Sequence, residues 1–185
     1  METVKGQSVH ILKVPDAEAL ASRSLVEFLS CAHESLKERG RFLVAISGGH
    51  TQERLYQLLE SSPDVRQLPW EAIHLFWVDE RAVPPSDTAS NYHLAAATFL
   101  EKIPIPPDNI HRFCGEAEDL NRAAREYERT LSDVFNLQTG KLPQFDLIIL
   151  GMGANGHIAS LMPNSYALFD TDDLVSAVYR MNGDY

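Results

Sequence analysis

The chain is poor in cysteine, in basic residues and in long apolar runs, and each scarcity excludes something. Its 185 residues include two cysteines, Cys31 and Cys114, with no CxxC spacing and no His/Cys cluster nearby. That excludes a disulfide framework and a thiolate metal site, and reads as free thiols in a reducing compartment. No apolar run approaches the length of a membrane span, and the first residues, METVKGQSVHILKV, lack the apolar core of a signal peptide. A cytoplasmic location is therefore expected. Lys and Arg total 16 against 26 Asp and Glu, a formal net charge of −10. Such a surface repels nucleic acid and anionic lipid, so neither is an expected partner. It also repels anionic metabolites, so a phosphate ligand must be held by local donors. There is no P-loop ending in Gly-Lys-Ser/Thr and no full GxGxxG fingerprint with its downstream acid, which argues against nucleotide-dependent redox chemistry.

What is present is an ordinary globular composition, 44% hydrophobic and 23% charged, arranged in a β-α-β-α rhythm. Val9–Val14 reads as an edge strand. Asp16–Arg39 reads as a long helix capped by Asp16 and ended by Gly40, with Ala19, Leu20, Ser24, Phe28, Cys31 and Leu36 near one face. Arg41–Ile46, Ile73–Val78 and Phe145–Leu150 are compact apolar runs suited to parallel strands covered on both faces. Thr51–Leu59, Asn91–Leu100 and Ala117–Leu137 have helical spacing, Ile103–Asn109 with its three prolines is a loop, and Val175–Tyr179 is one more candidate strand. The expectation is a single sugar-phosphate-binding α/β domain over residues 1–185, Rossmann-like and doubly wound, with a mainly parallel sheet and helices on both faces. The chain ends just after a candidate strand with no closing helix, so C-terminal truncation is expected.

Ligands of such sheets bind outside the carboxyl ends of the strands. Three segments there carry unusual sequence. Ser47-Gly48-Gly49-His50-Thr51 joins a strand to a helix; its glycines let backbone approach a ligand, and the helix start offers N–H groups to a phosphate. Alone, it suits a plain tight turn capped by Thr51 better. Asp79-Glu80-Arg81, followed by Asn91-Tyr92, offers a guanidinium that can clamp phosphate, beside carboxylates that can orient it, bind sugar hydroxyls or act in acid/base steps. Alone, it is also an ion-pair cluster on a loop. Gly151–His157 places three glycines in six residues before a histidine at the expected start of a helix. Backbone donors there can hold an oxyanion, and His157 can move a proton near neutral pH. His74 reads as a strand residue, His50 sits beside the first loop, and His10, His33, His93 and His111 show no metal-ligand spacing, so no metal site is expected. Met152 and Met162 read as packing residues.

Taken in order, SGGHT (Ser47–Thr51), WVDER (Trp77–Arg81), SNY (Ser90–Tyr92) and GMGANGHIASLMP (Gly151–Pro163) resemble the 6-phosphogluconolactonase family, over roughly residues 10 to 180. The resemblance implies a Rossmann-like fold and hydrolysis of 6-phosphogluconolactone to 6-phosphogluconate, the second step of the oxidative pentose phosphate pathway, with no metal or redox cofactor. It implies that Ser47, Gly48, Gly49 and Thr51 hold the 6-phosphate and that Arg81 supplies charge. Asp79, Asn91, Gly151, Gly153 and Gly156 complete the substrate-binding set, and His157 with Asn155 does the chemistry. A phosphorylated sugar lactone is then the partner, and a monomer or small homo-oligomer the expected state. One departure lies in the third motif: the family pattern has Asp where Asn155 stands. Asn supplies no charge and can favour the other imidazole tautomer. Glucosamine-6-phosphate deaminase/isomerases look similar and carry a related loop, but theirs continues into F-N-E-P, where this chain reads Ser160-Leu161-Met162-Pro163. A non-catalytic sugar-phosphate-binding module is the remaining alternative.

Overall fold

The computed structural model describes residues 10–169 and 173–179. Helix α1, Ala17–Arg39, begins where the Asp16 carboxylate accepts the Ala19 N–H at 2.8 Å and ends at Gly40, whose φ of +69° is a left-handed cap. Strand β1, Phe42–Ile46, leads into α2, His50–Ser61, and the short α3, Pro63–Arg66. Strand β2, Ile73–Trp77, is followed by α4, Asn91–Thr98, then by the two-residue β3, Ile110–His111. Helix α5, Leu120–Phe135, starts at an Asp119 cap, and β4, Leu147–Ile148, closes the order.

The sheet is parallel throughout, in the order β3-β2-β1-β4, with Phe42 opposite Ile73 and Val44 opposite Leu147. Its central strand β1 is buried at every position, which is why RFLVAI reads as a continuous apolar run. Alternation splits that run between two cores. Phe42, Val44 and Ile46 pack with Phe28 of α1, Leu55 and Tyr56 of α2 and Ala95 of α4; Leu43 and Ala45 pack with Tyr127 and Leu131 of α5. Helices thus cover both faces, as the rhythm of the sequence predicts.

Several expectations are corrected. Residues 10–14 form no strand, Ile11 and Leu12 are exposed, and Val9 lies outside the described residues. Leu20 is exposed, because α1 buries Ala21, Phe28, Ala32 and Ser35, a stripe displaced from the expected face. The expected buried strand Phe145–Leu150 pairs only at Leu147–Ile148, with Ile148 49% and Leu150 50% exposed. It lies at the sheet edge: Leu147 and Ile149 turn to the larger core, while Ile148 and Leu150 stay half exposed. The region 175–179 is irregular, held by Leu174 and Val175 N–H groups donating to Glu128 Oε1 at 2.7 and 3.2 Å.

Candidate active site

Because the strands are parallel, the segments after β1, β2 and β4 emerge on one edge of the sheet. The Asp146 carboxylate sets β4 beside β1 by accepting the Leu43 N–H at 2.7 Å and pairing with Arg39 at 2.8 Å. One turn of chain later, the Ser47 hydroxyl donates to the Ile149 carbonyl at 2.9 Å, and the Tyr56 hydroxyl donates to the Ser47 carbonyl. Ser47 is only 4% exposed and its proton is committed, so it ties two strand ends together rather than offering a donor to a ligand. Gly49, at φ +113°, has the backbone of a glycine and stands as the N-cap of α2 with no side chain to occupy the helix start. Thr51, in the first turn, is exposed.

The second segment is organised by carboxylates. Glu80 accepts the backbone N–H groups of Arg81 and Asn91 at 2.7 Å each, that of Tyr92 at 2.9 Å, and the Ser90 hydroxyl at 3.0 Å. It therefore anchors the start of α4, where an anion also meets the helix dipole favourably. Arg81 is exposed and donates from Nη1 to the Ala89 carbonyl at 2.6 Å, so the alternative of an ion-pair cluster gives way to hydrogen bonds with backbone and with uncharged side chains. Both Asp79 oxygens point inward: Oδ1 faces Asn91 Nδ2 at 3.3 Å, and Oδ2 accepts the Ser160 hydroxyl at 2.7 Å. Asn91 is 2% exposed, its Nδ2 also donating to the Asp79 carbonyl at 2.9 Å. It lies against Gly48, where a Cβ would stand 1.8 Å from Asn91 Oδ1. Asn91 thus supports the first loop from within.

The third segment is a closed turn, and no helix begins at His157. Met152 and Ile158 form an antiparallel bridge, Gly153 N–H donates to the His157 carbonyl at 2.9 Å, and Gly156 N–H to the Gly153 carbonyl at 2.9 Å. Those two amides shape the loop and are spent inside it. Gly153 makes room for the imidazole, since a Cβ there would lie 2.1 Å from His157 Cε1. Asn155 Oδ1 faces both the His157 backbone N–H at 3.3 Å and its Nδ1 at 2.5 Å. A backbone N–H can only donate, so the atom it meets is the amide oxygen, and Nδ1 must then carry its proton. In the neutral ring the lone pair is then on Nε2. Asn155 therefore selects the same tautomer that an aspartate would, contrary to the expectation from the sequence.

Two residues that sequence reasoning missed join these segments. Ser160 links the third to the second through Asp79. Gln52, 6% exposed, links the first to the third: one orientation of its amide donates to the Gly48 carbonyl at 3.0 Å and accepts the Gly151 N–H at 3.3 Å. The available signal was a glutamine in the third helical position, where side chains reach back over a helix start. Among the described residues no three His, Cys, Asp or Glu converge as a metal site, and no helix is long and apolar enough to cross a membrane.

The chain is 38% identical over 163 residues to a 6-phosphogluconolactonase of Nostoc sp., a match covering 88% of this chain and 66% of the relative. A solved structure described as devB protein matches 91% of this chain and 68% of its own at 34% identity, with a TM-score of 0.80. A Thermotoga maritima 6-phosphogluconolactonase matches 80% and 62% at 28% identity, with a TM-score of 0.68. The chain thus spans just under two thirds of the length of the Nostoc relative. A family model for glucosamine-6-phosphate isomerases/6-phosphogluconolactonase matches residues 15–184, nearly the whole sequence, and the chain belongs to that family.

Proposed function

We propose that the protein hydrolyses 6-phosphogluconolactone to 6-phosphogluconate, the reaction named for its relatives and one that belongs to the oxidative pentose phosphate pathway. The observation that carries this reading is the His157–Asn155 pair, in which the Asn155 oxygen holds Nδ1–H and leaves Nε2 as the nitrogen able to take a proton, on a loop tied to the other two strand ends. In this reading the 6-phosphate rests on the backbone N–H groups of Gly48, Gly49 and Thr51 at the start of α2, with Arg81 supplying the charge that the acidic surface lacks. The lactone carbonyl faces the 151–157 loop. Water attacks the carbonyl carbon as Nε2 takes one of its protons. The tetrahedral intermediate collapses with cleavage of the bond to the ring oxygen, which receives that proton from the imidazolium. The products are the open-chain acid and the neutral histidine, so neither redox equivalents nor a metal enter the balance.

The test is an assay with fresh 6-phosphogluconolactone, corrected for spontaneous opening. His157→Ala should bring the rate down to the spontaneous one while phosphate affinity stays within about twofold, since the base contacts the reacting centre and not the phosphate. Turnover in that variant equal to the wild type refutes the assignment, as does a wild-type chain that does not exceed spontaneous opening.

A further inference from the structure

Gln52 is a buried polar side chain whose surroundings are cut to fit it. It sits in the first turn of α2 and reaches two loops whose chain positions lie about a hundred residues apart. Two glycines leave it space: a Cβ on Gly151 would come within 2.7 Å of its terminal amide, and one on Gly49 within 3.0 Å. Only one orientation of the amide satisfies both loops, the donor toward the Gly48 carbonyl at 3.0 Å and the acceptor toward the Gly151 N–H at 3.3 Å. A hydrophobic residue of this size would fill the same space, so packing alone does not call for an amide here. What the amide adds is direction. It makes the position of Gly151, where the His157 loop begins, depend on that of Gly48, where the phosphate loop begins.

We infer that Gln52 is a positioning residue that couples occupation of the Gly48–Thr51 anion cradle to the placement of the His157 loop. This rests on the functional reading above. An anion drawn onto the Gly48 and Gly49 amides pulls on the peptide plane that ends in the Gly48 carbonyl. Gln52 passes that displacement to the Gly151 amide, and through Gly153, which carries the imidazole on its open face, to His157. The phosphate of the substrate would then contribute to turnover as well as to binding, which is how contacts remote from the reacting bond raise kcat.

The test uses the chain of 185 residues and two variants, Gln52→Met, which keeps the volume without directed hydrogen bonds, and Gln52→Ala. Inorganic phosphate is titrated into labelled protein while the Gly48, Gly49 and Gly151 amides and the His157 ring are followed by NMR. In the wild type all four respond. In Q52M the Gly48 and Gly49 signals still move with an affinity within about threefold, whereas the responses of Gly151 and His157 shrink at least about threefold. In lactone hydrolysis the variant should lose roughly tenfold in kcat with KM changed less than about threefold, the signature of an interaction that matters after binding. Equal responses of Gly151 and His157 in Q52M, a kcat like that of the wild type, or a loss confined to KM overturns the proposal. So does loss of the native circular dichroism spectrum in both variants, because Gln52 would then be a stability residue. If phosphate moves His157 through Gln52 but the wild type does not accelerate lactone opening, the functional reading falls and the coupling stands. If phosphate moves neither Gly151 nor His157 in the wild type, the coupling falls whatever the lactone assay gives.

Discussion

Gly48→Ala asks how tightly the first two loops are fitted. The backbone at Gly48 lies outside the positive-φ region that reserves a site for glycine, so alanine is acceptable there conformationally. The obstacle is Asn91, whose Oδ1 and Cγ would lie 1.8 and 2.4 Å from the new methyl. Asn91 must shift by more than 1 Å, roughly, to reach ordinary contact. It cannot do so freely, because Nδ2 is held by the Asp79 carbonyl at 2.9 Å and by Oδ1 at 3.3 Å, and the residue is buried. Losing those bonds in a buried site costs about 1–3 kcal/mol, and forcing a methyl into a filled space a further 1–3 kcal/mol, roughly. The sum, about 2–6 kcal/mol, is a large share of the stability of a domain of this kind. Asn91→Ala should cost about 1–3 kcal/mol by losing the same bonds. In the double variant the methyl meets the space that Asn91 vacated, so it should be about as stable as N91A and more stable than the sum of the two single losses by the whole G48A penalty, about 2–6 kcal/mol. Urea denaturation of the four proteins, read as midpoints at constant m, measures the cycle. A G48A penalty below about 0.5 kcal/mol, or strict additivity, refutes the claim that Asn91 is wedged beneath this loop.

Two further outcomes follow from the histidines. His74 Nδ1 lies 3.0 Å from His111 Nε2, with the rings stacked on the α5 side of the sheet. Burial pushes the His111 pKa down to about 4, with His74 adding to the effect, and burial with Arg41 lowers His74. A histidine held neutral in the native state is protonated more readily when unfolded, so the unfolded state binds more protons between the ordinary value of 6.5 and about 4. Stability should be full above that window and decline as pH falls through it, by about 1–2 kcal/mol once partial access to water is allowed for. His111→Phe should flatten the slope in denaturation curves from pH 7 to pH 4, roughly; an unchanged slope contradicts the assignment. Asn155→Asp keeps the acceptor for Nδ1–H, so its kcat in lactone opening should stay within about threefold of the wild type, whereas Asn155→Leu should lose about tenfold or more in kcat by freeing the tautomer.

Some features of this protein were legible in the sequence because they are local. Asp16 and Gly40 bound α1 through contacts within a few residues, and the burial of β1 on both faces requires an unbroken apolar run whatever surrounds it. The order of the three polar segments after strands also brings them together, since parallel strands leave their carboxyl ends on one edge. Other features depended on which distant groups the fold brings together. Phe145–Leu150 is as apolar as a central strand, yet its neighbours place it at an edge with Ile148 outward. Ser47 and Asn91 have the chemistry of ligands, but burial commits their donors to Ile149 and Asp79. Glu80 and Asp79 look alike in sequence, and only packing assigns one to the start of α4 and the other to Ser160. His157 stood out for its glycine-rich setting, whereas the proton on Nδ1 was decided by where the Asn155 oxygen points, and the tie of its loop to Gly48 by Gln52. A residue's chemical capability is written in its side chain; whether that capability faces a ligand or the protein interior depends on partners far along the chain, and only the tertiary structure brings those into reach.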